Sequence, residues 1–137
     1  MQSCSMAKEM KIQSRIWIQK EGKSYLGRGR IELLKYIESE GSISKAAKKM
    51  HMSYKAAWDN LNQINELSKT PLIESSNGGV GGGGTSLTLE GKRAIEVFEK
   101  LENLKEDFFA YLEGCEDIED LNTRLQNLMP FIQSLKS

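Results

Sequence analysis

Histidine and cysteine are scarce in this chain, and each shortage removes a class of chemistry. His51 is the only histidine among 137 residues, so neither a histidine-based metal site nor a histidine-dependent triad is available. The two cysteines, Cys4 and Cys115, form no C-x-x-C pair and no metal-ligand spacing. They are expected to remain free thiols in a reducing cytoplasm. No apolar run approaches the roughly 18 residues of a membrane span, and the polar N-terminus lacks the apolar centre of a signal peptide. A reactive constellation is missing as well: there is no nucleophile–base pair and no Gly-Lys-Ser/Thr of a P-loop. The sequence therefore points away from an enzyme, with no catalytic residue, no metal and no cofactor expected. What is present is a hydrophobic content of 39%, enough for the core of one small domain with a helical addition.

Net charge is zero, but it is unevenly distributed. Residues 1–70 hold 13 Lys/Arg against 7 Asp/Glu, or +6, and residues 71–137 hold 6 against 12, or −6. A basic half is a hint of nucleic-acid contact, and an ordinary surface can show the same imbalance.

The informative stretch is residues 41–67. Ile43, Ala46, Ala47 and Met50 recur at helical spacing, with Ser42 or Ser44 placed to cap the start. His51 and Met52 break that pattern at a turn suited to a residue that tolerates positive φ. Ser53 is a second N-cap candidate, and Ala57, Leu61 and Ile64 form a new apolar stripe. The opposite face carries Lys55, Asp59, Asn62 and Glu66. Adjacent Ala46 and Ala47 permit a close helix crossing, and the layout is that of a helix-turn-helix. Trp58 falls between the two faces and is expected to pack.

Upstream, residues 1–10 read as a flexible tail, and residues 11–19 alternate like a strand, with residues 24–26 as its returning partner. Trp17 is expected to pack. Ile31, Leu34 and Ile37 mark the first helix, flanked by Arg28 and Arg30 as possible phosphate contacts. Downstream, strand-like runs at 71–74 and 85–88 enclose the loop NGGVGGGG. That loop formally matches G-x-G-x-x-G, but a dinucleotide site needs a helix after it, and here a strand follows. A helix-turn-helix followed by such a hairpin is a winged helix. Thr88 can cap a long helix in which Ala94, Val97, Leu101, Leu104, Phe108 and Tyr111 follow a heptad seam. A last helix begins in the acidic patch 116–120, carries Leu121, Leu125 and Leu128, and is expected to be interrupted at Pro130.

At SYKAAWDNLNQINELS and GGVGGGGTSLTLEGKRAIE the sequence closely resembles the DNA-binding domain of the ModE family of molybdate-responsive transcriptional regulators, over about residues 11–112. The resemblance implies a winged-helix homodimer, with Ser53, Tyr54 and Lys55 at the groove-facing start of the recognition helix. It implies that residues 78–84 are the wing. Two positions depart from the family pattern. His51 stands where the family usually has glycine, and the 23 residues after Gly114 match none of the family's tandem oxyanion-binding domains. Molybdate is accordingly not expected to find a dedicated pocket in this chain.

The resulting expectation is mainly α with small β, a winged helix-turn-helix with an N-terminal hairpin and a long C-terminal dimerisation helix. The winged helix would span residues 11–91, and residues 92–137 would form the dimerisation segment and C-terminal tail. The expected activity is that of a cytoplasmic, sequence-specific regulator, a repressor, acting on molybdate or tungstate transport genes. The expected partners are double-stranded DNA with a palindromic operator and a second copy of the chain, and no membrane. The DNA-contact set is Ser53, Tyr54, Lys55, Asp59, Asn62, Ser44, Lys45, Arg28, Arg30, Gly79, Gly81, Gly82 and Gly83. The dimer set is Val97, Leu101, Leu104, Phe108 and Tyr111. The competing class is a winged-helix dimer that serves as an adaptor for a protein partner.

Overall fold

In a computed structural model, which describes residues 9–79 and 82–137, the chain forms two compact units. One is Ile16–Leu101; the other joins the described residues up to Arg15 with Glu102–Ser137.

The first unit begins with an antiparallel hairpin, β1 (Trp17–Lys20) and β2 (Lys23–Gly27), turned through Glu21 and Gly22 at positive φ. Helix α1 (Arg28–Glu40) follows at once and buries Ile31, Leu33, Leu34 and Ile37. It stops at Gly41, whose φ of +71° favours glycine and whose N–H donates back to Ile37 O. Ser42 Oγ then accepts from Lys45 N–H at 3.2 Å and starts α2 (Ile43–Lys49). The alternative cap, Ser44, lies exposed within that helix. Ala46 and Ala47 are buried and side-chain-poor, which suits close packing of α2 against its neighbours.

At the turn, Met52 N–H returns to Ala47 O at 3.0 Å, and His51 adopts φ +57°. Ser53 Oγ accepts from Ala56 N–H at 3.0 Å and begins α3 (Tyr54–Leu67). Ala57, Leu61, Ile64 and Leu67 face inward, so the apolar stripe of the sequence is the buried stripe of the helix. With α1, Leu72, Ile73, Leu87, Ile95 and Phe98, the side chains of Ala57, Leu61 and Ile64 make one continuous core. Fully burying each Leu, Ile or Phe contributes about 1.5–3 kcal/mol.

The second hairpin pairs β3 (Ile73–Gly79) with β4 (Gly82–Leu87) antiparallel, in the register Ile73↔Leu87 to Ser76↔Gly84, with a shift before Gly79↔Gly82. Two anchors fix its root. Asn65 of α3 accepts from Leu72 N–H (2.9 Å) and Ile73 N–H (3.2 Å) and donates to Ile73 O (2.9 Å). On the other strand, Thr85 N–H donates to Gly41 O at 3.0 Å, with Gly84 alongside. The long helix α4 (Leu89–Leu112) starts where Thr88 Oγ1 accepts from Gly91 N–H (3.0 Å) and donates to Pro71 O (2.7 Å). Gly91 is required by close approach: a Cβ there would stand 2.3 Å from Leu72 O. Lys35 of α1 pairs with Glu99 of α4, and that hydrogen bond holds the lysine's pKa above its ordinary value.

In the second unit the end of α4 turns at Gly114 (φ +86°) into α5 (Ile118–Ser134), capped by Asp117, which accepts from Asp120 N–H at 2.8 Å. Arg124 donates to Tyr111 O (3.0 Å) and Glu113 O (2.8 Å), tying α5 back to the turn. Cys115 is buried there, and burial pushes its thiol pKa up. Among the described residues no helix is long and apolar enough to cross a membrane.

Four expectations change here. The strand expected over residues 11–19 is only Trp17–Lys20, because the segment before it pairs elsewhere. Met10 N–H donates to Cys115 O (2.9 Å), Met10 O accepts from Gly114 N–H (3.2 Å), and Ile12 N–H donates to Glu113 Oε2 (3.0 Å). Met10 is thus tied down, and residues 1–8 of the expected tail, Cys4 included, lie outside the described residues. Trp17 is 54% exposed rather than packed. Finally, α5 continues through Pro130 to Ser134: the proline is exposed, so the Gln126 carbonyl that loses its helical donor can turn to water.

Candidate nucleic-acid interface

The outward face of α3 is built by its cap. Ser53 fixes the first turn, which sends Tyr54 and Lys55 away from the core, and the 3.6-residue repeat then brings Trp58, Asp59, Asn62 and Glu66 to the same side. All six are exposed. Lys55 Nζ donates to Asp59 Oδ2 at 2.9 Å, one turn on, and Asn62 Nδ2 to Glu66 Oε2 at 3.2 Å. These exposed pairs hold little energy, on the order of 0.3–0.5 kcal/mol. They orient the cation and the amide without consuming them.

Helix α2 adds Ser44 and Lys45 on its exposed side, followed by Lys48 and Lys49 in its last turn. The helix-turn-helix thus concentrates lysines beside an α-helix whose first turn is free of acidic residues. Phosphate oxygens and base edges are the groups such a surface suits.

Other members of the DNA-contact set are distributed differently. Arg28 is exposed at the start of α1 and pairs with Glu32 at 3.0 Å. Arg30 turns inward. Its Nε–H donates to Asn60 Oδ1 (2.8 Å), one terminal nitrogen donates to Ser24 O (2.8 Å) and Tyr25 O (3.2 Å), and the other donates to Gln63 Oε1. Partial burial lowers its pKa through desolvation. Asn60 and Gln63 lie on the flank of α3 turned from Tyr54 and Trp58, so Arg30 clamps the N-terminal hairpin to the recognition helix. In the wing, Gly79 and Gly82 pair across the tip and Gly83 belongs to β4, while Gly81 lies outside the described residues. The G-x-G-x-x-G match therefore joins two paired strands and leads into β4, not into a helix. Within the dimer set, Val97, Leu101, Leu104 and Tyr111 are exposed on α4, and Phe108 is half-buried.

Sequence reading missed three parts of this site. The clamp needs Arg30, Asn60 and Gln63 from elements some 30 residues apart, and no local pattern signals it. Asn65, which no sequence pattern singled out, holds β3. Trp58, expected to pack, is 47% exposed.

Known proteins share both the sequence and the shape. Residues 29–92 match the model of the bacterial regulatory helix-turn-helix protein, lysR family. The chain is 42% identical over 102 residues to the DNA-binding transcriptional dual regulator ModE of Escherichia coli K12, a match covering 74% of this chain and 38% of that protein. It is 49% identical over 73 residues to the molybdenum transport protein ModE of Azotobacter vinelandii, covering 53% of this chain and 27% of that one. It is 37% identical over 97 residues to the molybdenum-pterin-binding protein MopA of Rhodobacter capsulatus, covering 71% and 37%. The chain thus spans less than two fifths of the length of these relatives. Among solved structures, a mutant of S. aureus MepR superposes with a TM-score of 0.51 at 16% identity, over 80% of each chain, a likeness of fold. By cap, wing and shared sequence, the winged helix-turn-helix of this chain is similar to the matched part of the ModE regulators.

Proposed function

We propose that this chain is a sequence-specific, DNA-binding transcriptional regulator that acts as a homodimer on genes of molybdate or tungstate transport, in the cytoplasm, as a repressor. The observation that carries the reading is the exposed face of α3, where Tyr54, Lys55, Asp59 and Asn62 project from a helix locked to its core by Ala57, Leu61 and Ile64. Its shared sequence with a transcriptional dual regulator and a molybdenum transport protein, both called ModE, supports the choice of genes.

The mechanism is occupancy of an operator. Lys45 and Arg28 neutralise phosphates and release counterions, which makes affinity fall with salt. Ser53, Tyr54, Lys55, Asp59 and Asn62 meet the major groove, where Lys55 donates to guanine or phosphate and Asp59 accepts from cytosine or orients Lys55. Ser44 donates to the backbone, and Gly79, Gly81, Gly82 and Gly83 bring the wing main chain against the groove wall. Arg30 serves the same surface from behind, by fixing the roll of α3. A dimer through α4 presents two such helices to a palindromic site.

Genome-wide recovery of bound DNA, with and without molybdate, tests the reading: enriched sites should share a two-fold symmetric sequence near transport genes. Recovery without any common sequence would favour an adaptor. At the residue level, Lys55→Ala should weaken binding while leaving the fold intact. A lost base contact costs about 1–3 kcal/mol and relaxes preference at one position, whereas a lost phosphate contact weakens all sequences alike and flattens the salt slope. Unchanged affinity across salt concentrations would remove Lys55 from the interface.

A further inference from the structure

The aromatic that the sequence assigns to packing stands in the open. Trp58 is 47% exposed at the middle of α3, one turn after Tyr54 and one turn before Asn62. The inward positions around it are filled by Ala57 and Leu61, so the core has no place for an indole. It instead borders a cleft of about 190 Å³ between α3 and β3, floored by Leu61 and Ile73 and edged by Asn62 and Ser75. The neighbouring polar groups bond to partners other than the indole. Lys55 donates to Asp59, Asn62 to Glu66, and Asn65 is committed to the β3 backbone. Among the described residues, the indole N–H has no protein acceptor.

An exposed indole with a wide apolar face on a recognition helix fits one feature of the major groove. Of the four base-pair orientations, only those containing thymine present a methyl group there. We propose that Trp58 is a sequence-determining residue, whose ring packs on the 5-methyl group of a thymine in each half-site. The proposal rests on the DNA-binding reading above. The cleft beside the ring gives the methyl a partly apolar seat, with Ser75 and Asn62 at its rim. Tyr54, one turn earlier, is the other exposed aromatic of the helix and stands nearer its N-terminus.

The test uses an operator recovered with the full chain, and copies in which each thymine in turn is replaced by deoxyuridine, which removes only the methyl. Wild-type protein should lose about fourfold in affinity at one thymine per half-site, the worth of one buried methyl-sized group. Trp58→Ala should bind more weakly and lose sensitivity at that thymine alone. Trp58→Phe, which keeps a smaller ring, should show a reduced but measurable loss there. Circular dichroism checks that the variants fold. If the alanine variant does not fold, the phenylalanine variant decides, and an undiminished loss at that thymine overturns the assignment. The assignment is also overturned if no single thymine matters to the wild type, or if Trp58→Ala keeps the full methyl effect. A wild type that binds operator tightly with no methyl effect sinks only this assignment. A wild type with no sequence preference sinks the regulatory reading and this assignment together.

Discussion

Asn65 turns both ends of its amide to the chain that follows α3, accepting from two N–H groups and donating to one carbonyl of the Leu72–Ile73 corner. Truncation would leave these backbone groups without partners at a half-buried position. Asn65→Ala should therefore destabilise the protein by about 1–3 kcal/mol, read as a lower urea midpoint with an unchanged slope. His51 works in the opposite sense. Its φ of +57° places a residue with a Cβ in the left-handed region, at a cost of about 1–2 kcal/mol. Glycine avoids that strain and gives back part of the gain as unfolded-state entropy. His51→Gly should raise stability by about 0.5–1 kcal/mol. An unchanged or lower melting temperature would mean that the imidazole makes a compensating contact.

At the scale of elements, periodicity was enough wherever one face met one core. The stripes of α1 and α3 came through because Ile31, Leu34, Ile37, Ala57, Leu61 and Ile64 answer to the same interior. Local caps were equally readable at Ser42, Ser53 and Thr88, since each cap bond spans three residues. Failures occurred where a distant partner decided. Alternation over residues 11–19 could not reveal that Met10 and Ile12 would bond to the Gly114 turn, more than 100 residues on. Nor could a proline rule foresee that α5 leaves Pro130 exposed and runs on. The wing illustrates a division within one element. Its root is bound to α1 and α3, whereas its glycine-rich tip has little apolar surface to bury. Shortening the tip between Ser76 and Gly84 should lower operator affinity with little change in thermal stability. Full affinity in the shortened protein would reduce the loop to a connector.

For the molecule as a whole, the unexplained surface is apolar. Val97, Leu101, Leu104 and Tyr111 are exposed at heptad spacing on α4, and Ile118, Leu125, Met129, Phe131 and Leu135 are exposed in and around α5. Such a quantity of exposed large hydrophobics is costly to a free monomer in water. Replacing both Leu101 and Leu104 with Asp should convert a dimer into monomers or insoluble protein in sedimentation runs, by setting like charges across the seam. A soluble dimer would move the interface elsewhere. The bond from Thr85 N–H to Gly41 O fixes the second hairpin at its root. It acts as a hilt: everything beyond it can lengthen or shrink while the strands keep their heading. On the DNA-binding reading proposed above, loop length would then set the wing's reach while this bond sets its heading.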